Sequence, residues 1–243
     1  MDIIHHHFKC LTSTNDWIKQ NLAKLDKTKI TLISTKKQTA GRGRLNRSWH
    51  SPAEGNIYAS FYLPISKKEF NPLNIPQILA IAAIKTLEDK GFKIEMKWPN
   101  DLILKNKKIA GILCETSRGP STIDIIIGIG ININMKMEDI IKINQPATSL
   151  KIESAQSWDE DEILEKLKFN FNGYLAIFLK QGLSPLLPIL EQKLAQKGKI
   201  VNFNDGQKQI KGKIHSLNKD GSLNLELSNG SVRSFYNGEI PYL

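Results

Sequence analysis

Hydrophobic positions along the chain follow two rhythms, one helical and one alternating. Trp17, Ile18, Leu22 and Leu25 recur at helical spacing behind Ser13-Thr14-Asn15, one of which is the expected N-cap. Residues 30–34 predict a short strand. Ile57, Ala59, Phe61 and Leu63 alternate with Tyr58, Ser60 and Tyr62, which predicts a half-buried strand. Pro76 opens a helix carrying Leu79, Ala82, Ala83 and Leu87, and Gly91 ends it. Residues 94–104 form two apolar runs about the turn Pro99-Asn100-Asp101, and Lys105-Asn106-Lys107 is a second turn. Residues 108–115 then predict a strand that opens on a lysine. Residues 122–133 are almost continuously apolar and include Gly128 and Gly130, as in a central strand that a ligand or backbone approaches closely. Helices are expected over 159–180 and 184–197, the second with Ser184 as cap and Pro185 at its first position.

After Gly198 the pattern shifts to short strands at 200–201, 210–214, 223–227 and 232–235. Asn204-Asp205-Gly206, Asp220-Gly221 and Asn229-Gly230 mark hairpin turns between them. This predicts a main domain over 1–197 and a small SH3-like β-barrel over 198–243. The chain has 243 residues, 40% hydrophobic and 24% charged, which suits a globular protein with a sizeable core. Its net charge of +10 is dispersed without a block of like charges, so most of the excess is expected on solvated surface. Cys10 and Cys114 do not make a disulfide framework, and Cys114 is expected to be a small buried hydrophobe. No apolar stretch is long enough for a membrane span and no signal-peptide pattern opens the chain, which points to the cytoplasm. His5, His6 and His7 alternate faces on a strand and lack supporting ligands, so a native strand or a tag remnant is favoured over a metal site.

Candidate chemistry centres on residues 36–49, KKQTAGRGRLNRSW. The chain has only five arginines, and Arg42, Arg44 and Arg47 fall here. Guanidinium forks beside Gly41 and Gly43, closed by Trp49, suit a loop over an anionic ligand such as a nucleotide. A solvated basic loop is the plainer alternative. The stretch 36–47 contains no acidic residue, so it is expected to be mobile until an anionic ligand orders it. Lys97 and Asp101 flank their turn more closely than a hairpin alone requires, and an Asp near phosphate is a usual Mg²⁺ ligand. Lys108 is either a snorkelling edge residue or a catalytic cation. Gly128-Ile129-Gly130 lacks the third glycine and the following helix of a dinucleotide fingerprint, and no P-loop is present.

Taken in order, STN at 13–15, QTAGRGR at 38–44 with Trp49, KWPND at 97–101, KIAGIL at 108–113, GIGIN at 128–132 and ATSL at 147–150 resemble the biotin–protein ligase family, also called biotin–[acetyl-CoA-carboxylase] ligase. With the closing Gly238-Glu239, the resemblance covers nearly the whole chain. It implies an α+β fold: a mixed-sheet biotin/lipoate ligase-like catalytic core with a C-terminal SH3-like β-barrel. It also implies an ATP-dependent reaction through biotinyl-5′-AMP that ends on a lysine of biotin carboxyl carrier protein. ATP and biotin would be substrates, with Mg²⁺ as the metal and a monomer or homodimer as the working form.

The resemblance assigns biotin contact to Ser13, Thr14, Asn15, Gln38, Gly41, Arg42, Gly43, Arg44, Lys108, Gly111 and Gly130. It assigns ATP contact to Arg42, Arg44, Trp49, Lys97, Asn100, Asp101, Lys108 and Asn132. Arg42, Arg44 and Lys108 would carry the charge chemistry, and Asp101 would hold Mg²⁺. Two departures stand out. Asn46 replaces the glycine usual in the family, and only twelve residues precede Ser13, too few for the DNA-binding domain of members that repress transcription. The resemblance is therefore to the monofunctional class, and no DNA partner is expected. The competing expectations are a lipoate–protein ligase and, in a different class, a basic nucleic-acid-binding protein.

Overall fold

The computed structural model describes residues 2–52, 55–66, 71, 74–118 and 122–242. The chain forms two compact units, Met1–Phe70 with Lys108–Lys168, and Asn71–Lys107 with Phe169–Leu243.

In the first unit the strands are β1 (Ile3–Phe8), β2 (Ile30–Thr35) and β3 (Asn56–Ser66), followed later in the chain by β6 (Lys107–Arg118) and β7 (Thr122–Asn132). They lie in the order β1-β2-β3-β7-β6. β1 and β2 are parallel; the remaining pairs are antiparallel. Helix α1 (Thr14–Asn21) starts at Ser13, whose hydroxyl accepts from Asp16 N. Its apolar side explains the helical spacing: Ile18 packs with Ile33, Tyr62 and Ile126, while Trp17, Leu22 and Leu25 border that cluster. Tyr58, Ser60 and Tyr62 are almost fully buried, so β3 is covered on both faces rather than one. Phenol and hydroxyl groups gave it an amphipathic look, but Tyr62 OH meets Asp124 and Tyr58 OH meets Asn56, which makes their burial affordable. His5 and His7 sit on one face of β1, and a ring nitrogen of each lies 2.8 Å from Ser34 Oγ. Two short helices absent from the sequence expectations, α3 (Met137–Ile140) and α4 (Leu150–Ser154), follow β7.

The second unit holds α2 (Ile75–Glu88), the hairpin β4 (Glu95–Lys97) and β5 (Asp101–Leu104), and the short helix α6 (Leu187–Lys193). The long helix α5 (Glu160–Gln181) contributes its Phe169–Gln181 part. Gly91, at φ +88, closes α2 as expected. The expected helix 184–197 is shorter at both ends. Pro188, not Pro185, lies at its first positions, and Leu194 leaves the helix to bridge Met96, with Ala195 N donating to Met96 O. After Gly198 come β8 (Ile200–Asn204), β9 (Gln209–Leu217), β10 (Leu223–Leu227) and β11 (Val232–Phe235). They form one antiparallel sheet ordered β11-β10-β9-β8, as the hairpin signals predicted. No helix among the described residues is long and apolar enough to cross a membrane.

Candidate active site

In the first unit the STN triplet builds a buried polar socket at the start of α1. Ser13, Thr14 and Asn15 are each under 5% exposed. Gln38 Oε1 accepts from Thr14 N at 3.0 Å and lies 3.3 Å from Thr14 Oγ1, while Gln38 Nε2 donates to Ser51 Oγ at 3.1 Å. Ser60 Oγ lies 2.6 Å from both Thr14 Oγ1 and Asn15 Oδ1. Ser51 and Ser60 are not among the residues that the sequence motifs single out. The signal for Ser60 in the sequence is a small hydroxyl among the alternating residues of the strand, between Tyr58 and Tyr62.

The glycines make room for side chains. A Cβ on Gly128 would meet Asn15 Oδ1 at 2.4 Å, and one on Gly130 would meet Trp49 Cε2 at 2.4 Å. Gly111 is the cross-strand partner of Gly130, and a Cβ there would meet Trp49 at 2.8 Å. Trp49 thus lies on a platform made by two facing glycines, with its indole N–H buried and unpartnered. The Lys108 ammonium sits 5.2 Å from the centre of the same ring. Gly41 is also close-packed, since a Cβ would meet Ser51, Trp49 O and Gln38 within 2.9 Å. Lys108 is fixed by its backbone: its N–H donates to Pro146 O and its carbonyl accepts from Thr148 N. This places the ATSL segment beside KIAGIL. Asn132 Nδ2 donates to Thr148 O at 2.9 Å, and Asn132 Oδ1 is buried without a partner.

The Arg loop is a tight turn. Trp49 N donates to Gly41 O and Gly43 N to Arg47 O, so the Gly43 N–H is used within the loop. Leu45 and Asn46 both have positive φ, 55° and 58°, so Asn46 stands where the family glycine would and tolerates the conformation. The loop's counter-charges come from elsewhere in the chain. Arg42 reaches Asp16 through Nε and Nη2 and Glu115 through Nη1 and Nη2, while Lys36 pairs with Glu160 and Asp161. Glu115 also accepts from Lys19 at 2.6 Å and Asn15 at 2.9 Å. Burial alone would raise the Glu115 carboxyl, but hydrogen bonds from Lys19 and Asn15 and the charges of Lys19 and Arg42 hold it below the ordinary range. Burial pushes the neighbouring Cys114 thiol up to about 12, with the Glu115 charge adding to it, so this partly buried cysteine is no nucleophile at neutral pH.

Lys97, Asn100 and Asp101 belong to the second unit. Lys97 and Asp101 face each other across the β4–β5 hairpin, each only 8% exposed. Tyr242 covers both, donating its hydroxyl to Asp101 Oδ2 at 2.6 Å, with Lys97 Nζ 4.1 Å from its ring centre. Burial, then the Asp101 charge and hydrogen bond, push the phenol far up, so it remains a donor. Trp98 Nε1 and Gln77 Nε2 both donate to Gly221 O. Among the described residues no group of three or more His, Cys, Asp or Glu could hold a metal. Mg²⁺ that arrives on nucleotide phosphates needs one or two carboxylates and not a dedicated protein cage.

Residues 198–240 match the Biotin protein ligase C terminal domain. The chain is 33% identical over 212 residues to the Bifunctional ligase/repressor BirA of Salmonella typhimurium, covering 84% of this chain and 63% of that protein. It therefore spans less than two thirds of that relative. It is 28% identical over 201 residues to the Biotin--[acetyl-CoA-carboxylase] ligase of Paracoccus denitrificans, covering 79% of this chain and 82% of that one. A solved structure of Biotin protein ligase from Aquifex aeolicus in complex with biotin and ATP superposes with a TM-score of 0.82 at 29% identity, covering 98% of this chain and 97% of the other. Residues 7–132, slightly more than half of the chain, match the Biotin/lipoate A/B protein ligase family. That span holds the socket, the Arg loop and the glycine platform alike, and on this match the chain belongs to the Biotin/lipoate A/B protein ligase family.

Proposed function

We propose that the protein attaches biotin to a specific lysine of a biotin carboxyl carrier protein at the expense of ATP. A biotin carboxylate oxygen attacks the α-phosphorus of ATP, forming biotinyl-5′-AMP as pyrophosphate leaves. The carrier lysine amine then attacks the acyl carbon, AMP leaves with the bonding pair, and the amine loses its proton. The chain's part is positioning and charge stabilisation, with no protein nucleophile.

The observation that carries this reading is the buried hydroxyl and amide socket of Ser13, Thr14, Asn15 and Gln38 in the same compact unit as a glycine platform. Such a socket suits the polar end of biotin, and the Gly111–Gly130 platform, which Trp49 occupies here, suits a flat or bicyclic group once the indole moves. Lys108, whose ammonium lies beside Trp49, would neutralise the attacking carboxylate and the non-bridging oxygens. Trp49 offers its face to adenine, which requires the indole to leave the glycine platform or share it. Asn132, with an unused buried acceptor, suits a nucleotide donor. Gly41 and Gly43 shape the Arg loop, and Arg44 supplies charge from it. For Lys97, Asn100 and Asp101, ATP contact and Mg²⁺ orientation rest on the resemblance. Bound Mg²⁺ would neutralise phosphate charge, with Asp101 as its protein ligand. We read the chain as a ligase domain over 1–197 and a smaller C-terminal domain over 198–243, and the family matches at 7–132 and 198–240 each fall within one of them. We place the protein in the cytoplasm, as monomer or homodimer.

The family assignment does not favour the nucleic-acid-binding alternative. Incubation with ATP, biotin and a biotin carrier domain, followed by blotting for biotin, tests the proposal. Biotin should appear on the carrier lysine, and ATP with lipoate should leave the carrier unmodified. A carrier modified by lipoate but not biotin would overturn the assignment.

A further inference from the structure

We propose that Asp16 and Glu115 are positioning residues that dock the Arg42 guanidinium against α1, so that Arg42 anchors the loop instead of clamping the ligand's anion. The inference rests on the biotin-adenylating reading of this site.

Arg42 has five N–H donors. Four contacts are made to two carboxylates: Nε and Nη2 to Asp16, Nη1 and Nη2 to Glu115. A fork used this fully cannot also hold a carboxylate or phosphate without giving up a bidentate pair. The two acids are placed to serve as a socket. Asp16 lies in the first turn of α1, where a negative charge is favourable. Glu115 lies on β6 and also receives Asn15 Nδ2 at 2.9 Å and Lys19 Nζ at 2.6 Å. One carboxylate therefore joins three parts: the STN triplet, the last turn of α1 and the Arg loop. Its bond to Asn15 fixes which end of that amide faces Ser60, since Asn15 Oδ1 lies 2.6 Å from the Ser60 hydroxyl. Through Glu115, the position of the loop is tied to the orientation of the socket.

An opposite role would have opposite consequences. If the acids merely occupied Arg42 until a ligand displaced them, they would compete with the ligand, and neutralising them would tighten binding. If they anchor the loop, neutralising them loosens it and weakens retention of the adenylate.

Asp16→Asn, Glu115→Gln and Arg42→Lys separate the two, with amide exchange across residues 36–49 of the ligand-free protein as the first readout. Anchoring predicts that the hydrogen-bonded Gly43 and Trp49 amides exchange about tenfold faster in each variant, and that Glu115→Gln adds little once Arg42→Lys is present. Unchanged exchange overturns the proposal. The second readout is dissociation of preformed biotinyl-5′-AMP, which should be about tenfold faster in each variant. Slower dissociation would establish competition and overturn anchoring. Should Glu115→Gln not fold, Asp16→Asn, at the more exposed carboxylate, decides alone. Wild-type protein that does not bind the adenylate would count against the proposed function, while the exchange measurement still decides the anchor.

Discussion

Replacing Gly128 by alanine tests the packing on which the polar socket depends. Gly128 has no left-handed φ, so the perturbation is purely steric. In an open strand the change would stabilise the protein by roughly 0.5–1 kcal/mol, because glycine loses more chain entropy on folding. Here the new methyl would sit 2.4 Å from Asn15 Oδ1 and 3.2 Å from Ser60 Oγ. Asn15 is buried and short, and its amide is already held by Glu115 and Leu113 O. Making room costs about 1–3 kcal/mol of overpacking, and loss of the Asn15–Ser60 hydrogen bond adds about 1 kcal/mol. Net of the entropic gain, Gly128→Ala should destabilise by about 1–3 kcal/mol and weaken biotin binding. Gly173→Ala is the control: it lies in α5 with open space around the new Cβ, and should stabilise by about 0.5–1 kcal/mol. Urea denaturation of both variants, with m unchanged, gives the two free energies, and biotin titration gives the binding effect. A Gly128→Ala protein as stable as Gly173→Ala, with wild-type biotin affinity, would refute the packing of Asn15 on β7.

Lys108→Ala should cost about 3–4 kcal/mol in the adenylation step, as for a lost oxyanion donor, while transfer from preformed biotinyl-5′-AMP falls less; near-native pyrophosphate release would remove Lys108 from its role. Removing residues 198–243 strips Phe203 from beside Trp98 and the Gly221 carbonyl from Trp98 and Gln77. The truncated chain should therefore show a red-shifted tryptophan emission and a lower melting temperature, and unchanged values for both would contradict the packing of the second unit. The Glu115 carboxyl lies below its ordinary value, so its contribution is full above about 4.3 and is lost as pH falls through the lower folded value. Stability of Glu115→Gln should accordingly change less steeply than wild type below that point, and parallel acid limbs would show that Glu115 is not paired as described.

Much of this organisation was legible in residue patterns because local chemistry decided it. Ser13 caps α1, Gly91 ends α2, and the three hairpin signals after Gly198 fall between the strands they separate. Failures came where tertiary partners decide. Helix α6 stops early because Leu194 and Ala195 pair with Met96, a residue almost a hundred positions away. Tyr58 and Tyr62 resemble surface alternation until Asn56 and Asp124 are seen to satisfy their hydroxyls. The Arg loop looked self-repelling because its counter-charges, Asp16, Glu115, Glu160 and Asp161, lie outside it in sequence. The glycines of GIGIN correctly signalled a close approach, but the groups that approach in this structure are the Asn15 amide and the Trp49 indole.

Activation of biotin as an acyl adenylate is the step on which the proposed function turns. The most direct measurement mixes the protein with ATP labelled at the α-phosphate and biotin, without any carrier, and separates the products. The expected result is biotin-dependent pyrophosphate release and a labelled biotinyl-5′-AMP that remains with the protein and discharges AMP when a carrier domain is added. Pyrophosphate release that ignores biotin, or a labelled adenylate formed only with lipoate, would contradict it.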